Sequence, residues 1–311
     1  VSEVRQRLDV PDPTHEFPIF DELRARGATD YIALKRFFLR TDHAAIVHPG
    51  KGAEGMTISV TTDAAGGFSD PQLDGIRNML QPLCLTLKSG ANRAMAEDIT
   101  AAYLGKDASV RVLSGDIQRG STETLSAVVW YLDLANFTKM SEEHGGEAMI
   151  ELLNDYFGEV VDLLEDTGGN VLKFMGDGLL AIYDLNEVED ARAIAVASAS
   201  KLQGIFDQIN ARREAEGKPV TDFTLALHAG DVLYGNIGGK SRLDFTVIGP
   251  AVNTTARILG MSGPLDEKIV ISSAVAAPLR TTNPDLVSLG QYRLRGVTER
   301  QEIFTLDQGS T

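Results

Sequence analysis

Val128-Val129-Trp130-Tyr131-Leu132-Asp133-Leu134 is an apolar strand run that ends in a carboxylate, and Lys173-Phe174-Met175-Gly176-Asp177-Gly178 is a tight turn that carries a second one. Each aspartate sits beside a loop of phosphate size, a pairing that suits a nucleotide site with two divalent cations, because hard carboxylate oxygens are the ligands such ions prefer. Downstream, Phe245-Thr246-Val247-Ile248-Gly249 runs into a helix bearing Asn253 and Arg257. Those two are four apart and so share one helix face.

Around these segments, residues 126–308 alternate strands and helices in short order. We read a strand at 126–134, helices within 138–166, a hairpin at 170–184 and a long helix at 187–213. Strands at 222–229, 231–238 and 243–248, a helix at 251–260, and terminal strands with one short helix follow. Strand, helix, paired strands, helix, strand is the order of an α+β, ferredoxin-like sheet with helices on one face.

Residues 1–105 read as a smaller α/β regulatory domain, with strand-like runs at Tyr31-Ile32-Ala33-Leu34 and Thr57-Ile58-Ser59-Val60-Thr61. The turn Gly66-Gly67-Phe68-Ser69-Asp70 introduces a helix near Pro71 with apolar positions at Leu73, Ile76, Leu80, Leu83 and Leu87. Such a seam packs on its own sheet or pairs with a second copy. Pro82 argues for a kink, and Asn92 to Leu104, ended by Gly105, reads as a second helical stretch. Residues 106–124 are polar and read as a linker, and 125–311 as the catalytic domain.

The 311 residues are 43% hydrophobic and 23% charged, a globular composition long enough for two domains. The net charge of −15 disfavours nucleic acid and anionic membrane surfaces as partners. Cys84 is the only cysteine, so neither an intramolecular disulfide framework nor a Cys-rich zinc site is available and a cytoplasmic setting is expected. No apolar run approaches the roughly 20 residues that span a bilayer, and the start lacks a signal-peptide layout. Because the chain begins at Val1, an upstream segment is expected.

Asp133-Leu134-Ala135-Asn136-Phe137-Thr138 resembles the Phe-Ala-Asp-Ile-x-Gly-Phe-Thr signature of class III nucleotidyl cyclases. The segments 173–178, His228-Ala229-Gly230-Asp231-Val232-Leu233-Tyr234-Gly235-Asn236-Ile237-Gly238 and 244–257 resemble further motifs of that family, in family order. The resemblance implies a palm-like βαββαβ catalytic domain and, with Lys173, conversion of ATP to 3′,5′-cyclic AMP and pyrophosphate. It implies that Asp133, Asp177 and the backbone carbonyl of Leu134 hold two divalent cations, Mg2+ or Mn2+. Asn136, Phe137 and Thr138 would form the phosphate loop. Lys173 and Thr246 would read the purine, Asn253 would orient the ribose, and Arg257 would stabilise charge on the phosphates. The family's homodimers share each site between two copies, so a homodimer is expected. The turn at 66–70 and its helix resemble the later part of a GAF-like sensor domain, although no His or Cys pattern in 1–105 marks a haem, flavin or metal site.

Asn136 stands where the family pattern has Gly, and Pro250 where it commonly has Asp. Thr246 marks an adenylyl subgroup, since many adenylyl cyclases carry Asp there and guanylyl cyclases Cys. His228 reads as structural, and Gly230, Gly235, Gly238 and Gly239 as hairpin glycines. A nucleotide-binding module with decayed catalysis and a guanylyl or diguanylate cyclase are the alternatives. Gly145-Gly146-Glu147 is similar to a diguanylate cyclase motif but precedes a helix.

Overall fold

The computed structural model describes residues 2–10, 17–37, 55–115, 120–239 and 242–307. The chain divides into two compact units, Val1–Asp98 and Ile99–Thr311. In the first, β1 (Ser2–Arg7), β2 (Asp30–Phe37) and β3 (Gly55–Thr62) form an antiparallel sheet in that order, with the short helix α1 (Ile19–Ala25) between β1 and β2. Helix α2 (Asp70–Leu104) starts in this unit with a capping arrangement, the Ser69 backbone N–H and hydroxyl both donating to Gln72 Oε1 at 2.9 Å.

The first half of the α2 seam packs inward: Leu73 and Leu80 join Ile32, Leu34, Phe68 and Cys84 in the core, while Leu83 and Leu87 are exposed. The helix runs without a break through Pro82 to Leu104, so Asn92 to Leu104 continues it where the sequence reads a second helical stretch. Only one intrahelical bond depends on the missing proline N–H, and the remaining turns keep theirs. At the head of the sheet, Asp30 is fully buried. Its carboxylate accepts from Arg5 Nη2 at 2.7 Å and from the backbone N–H groups of Tyr31 and Phe68 at 2.9 and 3.0 Å.

The second unit continues with α3 (Lys106–Leu113), β4 (Thr122–Leu134), α4 (Phe137–Glu143), α5 (Gly146–Asp166), β5 (Asn170–Met175), β6 (Gly178–Asp184) and α6 (Ala191–Ala215). Then come β7 (Phe223–Gly238), β8 (Leu243–Ile248), α7 (Pro250–Leu259), β9 (Ile269–Ser272), β10 (Leu286–Tyr292) and β11 (Gln301–Leu306). The sheet order is β10-β11-β9-β7-β4-β6-β5, with β8 paired to β7. Within it the four strands β7-β4-β6-β5 pair antiparallel with one another, which is the ferredoxin-like arrangement the element order predicts, while β9 joins β7 in parallel.

Alternation along β4 feeds both faces. Val128, Trp130 and Leu132 meet Leu152, Tyr156 and Val160 of α5 and Ala199, Leu202 and Phe206 of α6. Ala127 and Val129 instead pack with Val232, Tyr234, Phe245 and Val247, with Ala251 of α7 and with Ala108 of α3.

Three details differ from the sequence reading. Lys106–Leu113, read as part of a linker, is helical; Ala108 is buried and Asp107 pairs with Arg111 across one turn, so local polarity there marks an amphipathic helix. Residues 116–119 of that linker lie outside the described residues. The strands expected at 222–229 and 231–238 are one strand, because Gly230 is not a turn: a Cβ there would stand 3.0 Å from Ala251 Cβ, so the glycine lets α7 approach the sheet. Finally, residues 187–190 form turns before α6.

Replacing Asp30 by Ala would take the carboxylate from Arg5, which keeps only its bond to the Phe68 carbonyl, and from the Tyr31 and Phe68 N–H groups, at a cost of about 3 kcal/mol or more. Urea unfolding is expected to show the first unit melting earlier in Asp30→Ala, with Asp30→Asn less affected.

Candidate functional site

The end of β4 and the β5–β6 turn build the acidic centre. Asp133 lies opposite Gly178 in the β4–β6 register, and the Leu134 N–H donates to the Asp177 carbonyl at 3.0 Å, which ties the two segments together. A Cβ on Gly178 would lie 3.1 Å from Asp133 Oδ1 and the same distance from the Tyr131 ring, so the glycine keeps this corner open. Burial, and then the charge of Asp177, push the Asp133 carboxyl up to about 6. The same causes, burial followed by Asp133 and Asp177, raise the Tyr131 phenol. Among the described residues neither carboxylate has a hydrogen bond or ion pair, and none of those residues offsets their charge. No cluster of three or more His, Cys, Asp or Glu side chains suited to a metal occurs among the described residues.

Two carboxylates without a counter-charge nevertheless fit hard cations. Mg2+ in particular is commonly held by one or two carboxylates, with water and substrate phosphates completing its shell. Leu134 itself is buried, and the chain then turns through Asn136 into α4, which Phe137 and Thr138 open. Asn136 has φ 59° and ψ 17°, a left-handed conformation that glycine adopts freely and asparagine tolerates better than most residues. The backbone therefore explains why Asn can replace the family's Gly here.

Lys173, on β5, reaches across to β8, where its Nζ lies 2.9 Å from Asp244 Oδ2. Asp244 is absent from the sequence-based site, although it shares a strand face with Thr246 by simple alternation. A pair this exposed adds little to stability; its effect is to fix where the ammonium points. Thr246 lies opposite Gly235 in the β7–β8 register, and its Oγ1 is buried without a hydrogen-bond partner. The neighbouring Phe174 ring is 54% exposed and stacks on Phe157 at 5.1 Å.

Helix α7 carries the remaining pair. Pro250 occupies its first turn, as a proline can, and Asn253 and Arg257 are both exposed. The Arg257 guanidinium has no hydrogen bond or ion pair among the described residues. It packs on the loop after β10, where a Cβ on Gly296 would meet Arg257 Nη2 at 3.3 Å. The sequence Arg293-Leu294-Arg295-Gly296 gives this corner further positive charge, and sequence reading missed it because only the fold brings it to α7. His228 bonds Ser272 Oγ through Nδ1 at 2.8 Å, and burial lowers its pKa, consistent with a structural histidine.

The fold thus unites Asp133 with Asp177 and joins Lys173 to the strand of Thr246. Along β4 and β7, however, the register separates the groups: Asp133 faces Thr224, whereas Gly235, the partner of Thr246, faces Thr122.

Residues 121–308 match the family described as the adenylate and guanylate cyclase catalytic domain. An adenylate cyclase of Anabaena cylindrica is 29% identical over 164 residues, which are 53% of this chain and 33% of that protein. Adenylate cyclase 2 of Rhizobium meliloti (strain 1021) is 26% identical over 273 residues, 85% of this chain and 70% of that protein. The chain spans about a third of the length of several other curated relatives it matches. Among solved structures, the adenylyl cyclase CyaB from P. aeruginosa aligns with TM-score 0.54 and 25% identity, covering 60% of this chain and 95% of that one. The guanylyl cyclase Cya2 aligns with TM-score 0.52 and 27% identity, covering 60% and 93%. No helix among the described residues is long and apolar enough to cross a membrane. With a fold, a sheet register and a family match that all centre on the strand ending in Asp133, this chain belongs to the adenylate and guanylate cyclase catalytic-domain family.

Proposed function

We propose that this chain is a cytoplasmic adenylate cyclase that converts ATP to 3′,5′-cyclic AMP and pyrophosphate as a homodimer with shared sites, its first unit serving as a GAF-like regulatory segment. The observation that carries the reading is the uncompensated pair Asp133 and Asp177 at facing strand ends, with the Asp133 carboxyl pushed up to about 6. Asp133, Asp177 and the Leu134 carbonyl would hold two divalent ions, Mg2+ or Mn2+. Ions held there would polarise the ribose 3′ hydroxyl and neutralise charge on the triphosphate. The 3′ oxygen then forms its bond to the α-phosphorus as the bond to pyrophosphate breaks, and the hydroxyl proton passes to solvent.

Every other requirement falls on side chains. Lys173, aimed by Asp244, donates to an acceptor on the adenine edge, which guanine does not match at that position. The unpartnered Thr246 hydroxyl lies on the neighbouring strand as a second purine reader. Asn136, Phe137 and Thr138 cradle phosphate, Asn253 orients the ribose, and Arg257, an always-charged fork, stabilises the leaving pyrophosphate.

Purified protein given ATP or GTP, with Mg2+ or with Mn2+, is expected to form cyclic AMP in clear excess over cyclic GMP when products are resolved by chromatography. Cyclic GMP as the main product would overturn the base assignment, and no product with either metal would overturn the activity. Asp177→Asn is expected to lower turnover by about a hundredfold or more, and Arg257→Ala to lower kcat more than it raises KM, as for a group acting in the transition state.

The Asp133 shift also has a consequence for metal-free protein. An acid whose folded pKa is raised binds more protons folded than unfolded between about pH 4 and 6, so stability falls as pH rises through that window. Asp133→Asn is expected to flatten this slope and to raise the thermal midpoint at pH 7. An unchanged slope in calorimetric scans would contradict the electrostatics of the pair.

A further inference from the structure

On the face of the catalytic sheet away from α5 and α6, a polar chain ends on one buried phenol that has no part in the chemistry above. Tyr234, on β7, is 2% exposed. Its hydroxyl donates to Asp107 Oδ2 at 2.6 Å and accepts from Asn170 Nδ2 at 3.3 Å. Asp107 in turn accepts from Arg111 Nε at 3.0 Å, Arg111 pairs with Glu123, and the Arg111 guanidinium lies 5.1 Å from the Tyr234 ring centre. Burial, reinforced by Asp107, holds the phenol above its ordinary pKa, so it remains a donor. Tyr234 thereby ties β7 to α3 and to the start of β5, and Arg111 extends the chain to Glu123 at the start of β4.

Both strands that carry the purine-reading residues are anchored at this point. Asn170 begins β5, and between Val171 and Lys173 the β5–β6 register slips, so the position of Lys173 is not fixed by continuous ladder pairing from the strand start. On the other side, Tyr234 faces Val247 in the β7–β8 register and packs edge-on to Phe245 at 4.7 Å, and the next residue, Gly235, faces Thr246. Where α2 gives way to α3, Gly105 has φ +83°, and a Cβ there would lie 3.0 Å from the Val171 carbonyl oxygen. The turn between the helices is therefore seated on β5 just ahead of the register slip. A cavity of about 440 Å³, with Asp107, Arg111, Asn170, Val171 and Tyr234 in its lining, borders the chain. Apolar packing of Ala108, Leu172 and Val232 holds this side as well, and the hydrogen bonds beside the cavity add directional ties between α3, β5 and β7.

We propose that Tyr234, acting through Asn170 and Asp107, is a positioning residue for purine recognition: it fixes β5 behind Lys173 and β7 behind Thr246, so that the two readers are presented at a set separation. This rests on the cyclase reading above. It extends that reading by making base preference depend on a contact with α3, away from the acidic centre.

The test compares Tyr234→Phe, Asp107→Ala and the double variant with the parent in the full chain, measuring KM and kcat for ATP and for GTP together with the thermal midpoint. The expected result is a rise in KM for ATP of roughly fivefold, the scale of one lost hydrogen bond, with the ATP-to-GTP preference narrowing and kcat changing less. The double variant is expected to be little worse than either single one, because both remove the same contact. Asn170→Ala cuts only the arm to β5 and is expected to narrow the preference in the same way, which keeps the test available if Tyr234→Phe does not fold. Variants that lose thermal stability while KM and base preference stay at parental values would show a purely structural tyrosine and overturn the proposal. A parent protein that turns over neither nucleotide would instead overturn the cyclase reading, and this inference with it.

Discussion

The antiparallel seating of β4 between β6 and β7 is the constraint from which the rest of the catalytic unit follows. Val128, Val129, Trp130 and Leu132 are fully buried, shared between the two faces of the sheet, so slipping the strand by one residue would exchange the faces and expose both cores. Because that register cannot slip, Asp133 must emerge opposite Gly178 and beside the turn that carries Asp177. The energy of core burial is thus spent on holding two like charges together without a counter-ion. Such an arrangement is costly in an empty protein and useful in one that receives cations.

The sequence made these strand ends legible because each rests on local rules. A continuous apolar run ending in a carboxylate marks β4, a Gly-Asp-Gly turn marks the β5–β6 hairpin, and a proline at a helix start marks α7. The family resemblance then supplied roles that spacing alone does not contain. What escaped sequence reading depends on non-local contact. The stretch 106–113 is polar, and only the burial of Ala108 against the sheet shows it to be a helix face. Gly230 has the look of a turn residue, yet it is a flat place on which α7 lands. Asp244 and Gly296 lie far in sequence from Lys173 and Arg257 and become their neighbours only through sheet pairing and the loop after β10. In α2, the second stretch read from Asn92 is the continuation of the same helix through Pro82.

Within one copy the groups proposed for catalysis fall into separate sets: the carboxylates at the β4 end, the purine readers on β5 and β8, and the exposed Asn253 and Arg257 on α7. Among the described residues the carboxylates and Arg257 form no ion pair, and Thr246 Oγ1 has no hydrogen-bond partner. Residues with strong unmet bonding capacity are the expected mark of a surface that works only against a ligand or another copy. The proposed shared site would supply both, with the end of one chain that carries the aspartates facing the base-reading and phosphate-binding elements of its partner.

The most direct measurement of that arrangement mixes two inactive proteins, Asp133→Asn and Arg257→Ala, and follows cyclic AMP formation in mixed dimers isolated by differential affinity tags. Each mixed dimer contains one complete site if the aspartates and the arginine act from different copies, so the predicted result is activity well above that of either variant alone. Confirmed mixed dimers with no recovered activity would contradict the shared site.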